Sequence, residues 1–357
     1  MSAADSRGGP PGALRILVVS QMYPGPEAED LGTFVAQVSR ELSAQGHTLA
    51  HSVIDHRRRS RAKYAVLVAD AVREARRFRP DVVYGHMLFP AGAAAALAAA
   101  AASAPFVLTA HGTDVSNVAR SRAVAVATDA VCRRAARVIA VSHYLRRQLE
   151  ESLPRLRGRI DVIDSGVDLT RFQPRSAEEA RLALGWDGDG PRYLFLGSLD
   201  ERKNIARLLA ALDSLPEGRL AVLGAGPLED VVRRHPRVRL VGRVPHAEVA
   251  QWMAACDVLC QPTLVEAFGQ AILEAMASGR SVVATSVGGP PEFVTPACGV
   301  LVDPLDVQAI AHGMQVAARL PRPNLAARAA AATHDVRLQA ARIAAVLAAA
   351  AARPPRP

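Results

Sequence analysis

The chain is 357 residues long, 50% hydrophobic and 22% charged, with a formal net charge of +9. It exceeds what one core usually fills and is too apolar for a disordered chain, so two folded domains of roughly 150 to 180 residues are expected. With aromatic residues at only 4% there are few platforms for base stacking, and no nucleic-acid module is recognisable, so a nucleic-acid partner is not expected.

Residues 1–13, MSAADSRGGPPGA, are rich in Pro and Gly and lack the apolar core of a signal peptide. They are expected to be disordered, as is the closing ARPPRP. From residue 14 strands alternate with helices. ALRILVVS reads as a strand and LGTFVAQVSRELSAQGH as an amphipathic helix ended by glycine. TLAHSVID, YAVLVADAVREARRFRP, DVVYGHM, an alanine helix, PFVLTAHG, AVAVATDAVCRRA, RVIAVS, HYLRRQLEESL and IDVIDSGVD follow in turn. The strands are continuous apolar runs and not in/out alternators, which suits a parallel sheet covered on both faces. The longest apolar run, AGAAAALAAAAASAPFVL, is mostly alanine and is broken by Pro105. It reads as a buried helix followed by a strand, not as a membrane span.

A connector rich in Pro, Gly and charge, LTRFQPRSAEEARLALGWDGDGP, carries one short helix. The plan then restarts with RYLFLGSL, NIARLLAALDSL, LAVLGAG, LEDVVRR, VRLVGRV, AEVAQWMAAC, DVLCQPT, GQAILEAMASG, SVVATSV and GVLVDP. The expected organisation is α/β. A doubly wound, Rossmann-like domain spans 14–174, a second spans 175–335, and a C-terminal helix and tail over 336–357 pack back toward the first. Two such domains are expected to leave one cleft, with ligands beyond the carboxyl ends of the strands. Cys132, Cys256, Cys260 and Cys298 include no C-x-x-C pair and read as buried free thiols. A cytoplasmic protein is expected.

The loops carry the chemistry. LCQPTLVEAFGQAILEAMASG reads as a strand, a loop, then a helix beginning near Phe268 or Gly269. Glu266 therefore lies in the loop, and Glu274 about a turn and a half into the helix. Gly269 permits close approach of a ligand, and the amides of Gly269, Gln270 and Ala271 would face it at the positive helix end, a seat for a phosphate. Carboxylates repel phosphate but accept hydrogen bonds from hydroxyls, so a pair flanking such a seat suggests a nucleotide sugar. Alone, the two glutamates are better read as a helix-start acid and a solvent-facing one. The neighbours reverse this: FLGSLDERKN supplies Arg202 and Lys203 just past a strand and a glycine turn, and SVGGPPEF supplies another flexible loop. Two other motifs are set aside. LGAGPLED lacks the third glycine of a dinucleotide fingerprint and reads as a tight turn. Asp187 and Asp189 form a D-x-D that precedes a strand, where a solvated turn is the better reading.

These residues resemble the retaining nucleotide-sugar glycosyltransferases of family 4, with the GT-B fold. The resemblance runs over almost the whole chain. Its most specific element is the E-x7-E pattern with FG between the glutamates, followed by LEAMASGRSVVATSVGGPPE. VIDSGVDLTRFQP, PFVLTAHGTD and VPHAEVAQWMAACDVLCQPT match further segments in order. The resemblance implies that Glu274 holds the ribose hydroxyls and that Glu266 holds donor-sugar hydroxyls where positive charge develops. Phe268, Gly269, Gln270 and Ala271 then belong to the donor site, and Lys203 neutralises the diphosphate. Many members carry arginine directly after the strand-end glycine, where this chain has Ser198, and Arg202 is the neighbouring candidate to substitute. His111 in AHGTD matches a histidine brought to the donor sugar from the opposite domain, although a histidine ending a strand also suits a structural hydrogen bond. Gly32 in EDLGTF fits a glycine loop beside the phosphates, with one glycine where two are usual, and equally suits a helix N-cap.

Residues 1–174 carry 23 Lys/Arg against 16 Asp/Glu, so most of the excess charge lies in the first half, in HRRRSRAK, REARRFR, RRAAR and RLRGR. Peripheral contact with anionic lipid on the inner face of the plasma membrane and a solvated arginine-rich surface both fit. The expected function is transfer of a sugar from a UDP- or GDP-type donor to an acceptor saccharide or lipid-linked saccharide, with no metal and no further cofactor. A sugar-nucleotide epimerase and a catalytically silent binding protein remain the alternatives.

Overall fold

The computed structural model describes residues 12–58, 60 and 62–352. The segments expected to be disordered fall almost wholly outside these residues, as do Arg59 and Arg61. Contacts divide the described chain into two compact units, residues 12–141, 145–165 and 337–352 on one side and 142–144 and 166–336 on the other.

The first unit contains β1 (Arg15–Ser20), α1 (Thr33–Ala44), β2 (Thr48–Val53), α2 (Ala62–Phe78), β3 (Val82–His86), α3 (Ala91–Ala102), β4 (Phe106–Ala110), α4 (Thr113–Arg120), α5 (Arg122–Arg134), β5 (Arg137–Ala140), most of α6 (His143–Ser152) and β6 (Ile160–Val162). Its six strands run parallel in the order β2-β1-β3-β4-β5-β6. The central strands are largely apolar because both faces are covered: Ile16, Leu17, Val18, Val19, Val82, Val83, Val107 and Leu108 are fully buried. The alanine helix α3 lies against β3, where a Cβ on Gly85 would come within 2.9 Å of the Ala95 methyl. Helix α4, not anticipated as an element in the sequence, buries Val115 and Val118 one turn apart.

The second unit contains α7 (Ala177–Leu184), β7 (Arg192–Leu196), α8 (Ile205–Asp213), β8 (Arg219–Leu223), α9 (Glu229–Arg233), β9 (Val238–Gly242), α10 (His246–Ala255), β10 (Val258–Gln261), α11 (Gln270–Ala277), β11 (Ser281–Thr285), β12 (Gly299–Val302), α12 (Val307–Ala318) and α13 (Leu325–Ala332). Its six parallel strands are ordered β12-β11-β10-β7-β8-β9. A core of Phe195, Leu208, Leu212, Val222, Val258, Ile310 and Met314 lies between this sheet and helices α8 and α12. Helix α14 (Val336–Ala351) groups, from Arg337 onward, with the first unit, where Arg342 donates to the Val162 carbonyl at 2.8 Å.

Composition placed the domain boundary after Pro174, whereas the contacts place it after Ser165. Hydrogen bonds supply the reason. Val167 N donates to the His334 carbonyl at 2.8 Å, Gln270 Nε2 to the Gly166 carbonyl at 2.8 Å, and Arg328 to the carbonyls of Phe172 and Leu169. This strap satisfies its backbone on the second unit. Among the described residues no helix is long and apolar enough to cross a membrane. All four cysteines are buried and free.

Candidate functional site

Each sheet reverses its direction of winding once, between β1 and β3 in the first unit and between β7 and β10 in the second. In open parallel sheets the loops leaving the strands at such a point diverge and leave room for a ligand. The loops after β7 and β10 hold Lys203 and Glu266, which are far apart in sequence. Lys203 Nζ lies 2.8 Å from Glu266 Oε2, with the side chains 28% and 19% exposed. Asn204 ties the two loops together, its buried amide donating to the Pro262 carbonyl at 2.8 Å and the Pro304 carbonyl at 2.7 Å.

The backbone of Glu266 is clamped. Its N–H donates to the Val287 carbonyl at 3.2 Å, and Gly289 N donates to its carbonyl at 2.8 Å. Gly288 has φ +118°, and a Cβ there would lie 1.9 Å from the Glu266 carbonyl oxygen. Only glycine allows the two chains to pass so closely. The SVGGPPEF segment, expected as a flexible loop, is therefore bonded to the Glu266 backbone and sets where that carboxylate sits.

Helix α11 starts at Gln270, with Gly269 as its left-handed N-cap and no side chain capping it. Its first-turn amides have no intrahelical acceptor, so the positive end is available to an anion. Two residues expected here use their side chains elsewhere. Gln270 turns its amide to Gly166, and the Phe268 ring is buried 5.2 Å from that of Phe293. Both anchor the loop, and any ligand contact from Gln270 falls to its backbone, as it must for Gly269 and Ala271. Arg202 directs its guanidinium to Asp200 at 2.8 Å and is largely exposed. It is not joined to the Lys203–Glu266 pair by any ion pair.

Glu274 is 4% exposed, the opposite of a solvent-facing helical acid. Its Oε1 lies 3.5 Å from His246 Nε2 at the start of α10. His246 Nδ1 is engaged by the Arg171 guanidinium. A guanidinium only donates, so Nδ1 is the acceptor and the ring proton sits on Nε2, facing Glu274. A histidine whose tautomer the arginine fixes thus presents its N–H 3.5 Å from the carboxylate.

In the first unit, His111 follows β4. Its Nε2 is 3.1 Å from Nδ1 of His86, the last residue of β3, and its ring lies 4.7 Å from that of Phe34. Gly32, left-handed with φ +63°, caps α1 just before Phe34, and a Cβ on it would come within 2.5 Å of the Met22 carbonyl oxygen. Asp114 organises this corner. Its Oδ1 accepts from the amides of His111, Gly112 and Val115 at 2.9–3.1 Å, and its Oδ2 accepts from Leu88 N at 3.0 Å. Burial raises the Asp114 pKa, and those four bonds oppose the rise. Burial pushes His111 down to about 3, and burial together with His111 and His51 pushes His86 well below its ordinary value. Both imidazoles are neutral at pH 7. Because their folded values are depressed, the unfolded chain takes up protons that the native chain does not, and stability falls as pH drops from about 6.5 toward 3.

His86, Asp114, Arg171, His246 and Gly288 were not singled out in the sequence. One signal was available for His86: it ends a strand that pairs with β4, with His86 opposite Thr109, two residues before His111.

Comparison with known proteins follows the same division. Residues 15–171 match the family model described as Glycosyltransferase Family 4, and residues 190–318 match that described as Glycosyl transferases group 1. The chain is 31% identical over 240 residues to the putative teichuronic acid biosynthesis glycosyltransferase TuaC of Bacillus subtilis, covering 66% of this chain and 60% of that protein. It is 35% identical over 190 residues to the D-inositol 3-phosphate glycosyltransferase of Mycobacterium tuberculosis, covering 48% of this chain and 39% of that protein. The chain thus spans less than two thirds of the length of these curated relatives. Among solved structures, sucrose-phosphate synthase from Thermosynechococcus elongatus matches with a TM-score of 0.77 at 21% identity, covering 93% of this chain and 98% of that one. Anabaena HepE in complex with UDP-glucose matches with a TM-score of 0.75 at 22% identity, covering 94% of this chain and 100% of that one. These structural matches carry the fold, two Rossmann-like α/β units of the GT-B type.

Proposed function

The chain belongs to the family-4, group-1 glycosyltransferases, and from that premise we propose that it is a retaining hexosyltransferase. It moves a sugar from a nucleoside-diphosphate sugar of UDP or GDP type to an acceptor hydroxyl on a saccharide or lipid-linked saccharide. The observation that supports this best is the Lys203–Glu266 pair at the switch point of the second sheet, beside the uncapped start of α11. As the bond from the anomeric carbon to the phosphate oxygen breaks, negative charge grows on the diphosphate. Lys203 and the first-turn amides of α11 meet it. The acceptor oxygen ends bonded to the same face of the sugar and its proton leaves with the departing diphosphate, while the Glu266 carboxylate faces the positive charge at the anomeric carbon. Glu274 accepts from the ribose, and His111 is assigned a donor-sugar hydroxyl.

The test is release of nucleoside diphosphate from UDP- and GDP-sugars with and without acceptor. Release that requires acceptor supports transfer. Interconversion of the donor without acceptor indicates an epimerase, and binding without turnover a silent binding protein. Because Lys203 and the helix amides supply the countercharge, transfer is expected to survive excess EDTA. Complete loss restored by magnesium would overturn the metal-free reading.

The basic first unit supports peripheral membrane contact. Helix α2 exposes Val66 together with Arg73, Arg76 and Arg77. Part of the charge is matched internally, with Arg57 2.9 Å from Asp30 and Arg77 2.7 Å from Glu74. Salt-sensitive sedimentation with anionic vesicles is expected, weakened by replacing Arg57, Arg58 and Arg59 with glutamate, since each cation near such a surface contributes ~1 kcal/mol. No binding at low salt would leave a solvated surface.

A further inference from the structure

The His86–His111 pair has a proton to place. Both rings are neutral, and they share one hydrogen bond, Nδ1 of His86 to Nε2 of His111 at 3.1 Å. If His111 donated, His86 Nδ1 would be the acceptor and its proton would sit on Nε2. His86 is 2% exposed, and its Nε2 has no partner among the described residues. That arrangement buries an N–H with no acceptor, the rarer and costlier kind of orphan. If His86 donates, its Nε2 is a bare lone pair, and His111 carries its own proton on Nδ1, the ring nitrogen that His86 does not engage. The surroundings are consistent with this. Tyr84 on β3 pairs its hydroxyl with that of Thr109 at 2.7 Å, Asp114 on α4 accepts from four backbone amides, and the His51 ring on β2 lies tilted against that of Tyr23. None of these groups bonds to either imidazole in the structure.

We propose that His86 is a positioning residue that holds His111 in the neutral Nδ1–H tautomer, so that His111 offers a ligand hydroxyl a hydrogen-bond donor and does not act as a general base. The ligand half of this statement rests on the reading of His111 as a donor-sugar contact; the tautomer half does not. In a general-base role His111 would have to accept a proton, for which a free ring nitrogen with an exposed lone pair is needed. The pair removes that lone pair by turning it toward His86.

The experiment is long-range 1H–15N correlation on the full chain labelled at histidine, with the two resonances assigned through single substitutions. In the wild type, without ligand, His111 is expected to show a protonated Nδ1 and a bare Nε2, and both rings are expected to stay neutral from pH 8 to pH 5. A protonated Nε2 on His111, or protonation of either ring near pH 6.5, overturns the assignment. His86→Leu should release the constraint, with the Nε2–H form of His111 appearing and kcat falling about threefold to tenfold at little change in KM. His86→Asn, whose amide N–H can stand where Nδ1–H stood, should restore both the Nδ1–H signal and most of kcat; equal loss in the two variants would reduce His86 to packing. Unchanged turnover in folded His111→Ala would instead sink the ligand half, whatever the spectra show.

Discussion

Glu266→Ala is expected to lower turnover by about a hundredfold or more while leaving affinity for the free nucleoside diphosphate unchanged or slightly higher. The first part follows from the proposed role: a carboxylate facing charge that exists only as the anomeric bond breaks contributes to the transition state and not to the ground state, and removing such a group typically costs about 10²–10³ in kcat. The second part follows from the 2.8 Å contact with Lys203. In the free protein that cation is already partnered, so a diphosphate must compete with Glu266 for it. Alanine removes the competitor. Isothermal calorimetry with the nucleoside diphosphate, beside initial rates at saturating donor, separates the two effects. Normal turnover would return Glu266 to the role of a loop acid, and a large loss of nucleotide affinity would show that it binds nucleotide directly.

The contrast with Lys203 is informative. Lys203→Ala should weaken diphosphate binding and turnover together, because in the proposed role Lys203 supplies countercharge to both bound and activated states. The pair is partly exposed, so neither substitution is expected to move stability by more than about 1 kcal/mol.

How much of this was legible in the chain depends on whether the signal was local. The alternation of apolar strands with amphipathic helices is a property of short windows, and it foretells both parallel sheets. The Glu266–Glu274 spacing with Gly269 between them is likewise local, and it places one acid before a helix and one inside it. What the sequence did not show are partnerships across long separations. Arg171 and His246 stand 75 positions apart, and Leu88 and Asp114 stand 26 apart. Neither leaves a periodicity. The four backbone amides gathered by Asp114 give no sequence signature either, since an Asp after a Gly-Thr pair is an ordinary helix-start residue. Gly288 was read as flexibility because a lone sequence cannot distinguish a glycine that moves from one that makes room for a neighbouring carbonyl. The boundary after Ser165 was missed for a related reason: proline and charge mark a connector, but hydrogen bonds decide which unit it adheres to.

Glu274→Ala should do its damage in binding. A carboxylate that is 4% exposed, with His246 Nε2 3.5 Å away, is already largely desolvated before any ligand arrives, so little of that cost remains when a ribose hydroxyl donates to it. Losing hydrogen bonds to such a charged acceptor is expected to weaken both donor and free nucleoside diphosphate by ~1.5 to 3 kcal/mol, or roughly 10- to 150-fold. The substitution also leaves the His246 Nε2 proton facing a cavity. Glu274→Gln, which keeps an acceptor oxygen near that proton, should therefore recover part of the loss. His246→Ala tests the same chain from the other side: Glu274 stays but loses its guide, so nucleotide affinity should fall by less than in Glu274→Ala, and the double substitution should cost less than the sum of the singles. Calorimetry on these proteins decides the matter. Equal nucleotide affinity in Glu274→Ala and wild type would show that Glu274 does not hold ribose, and strict additivity of the two singles would show that His246 does not act through it.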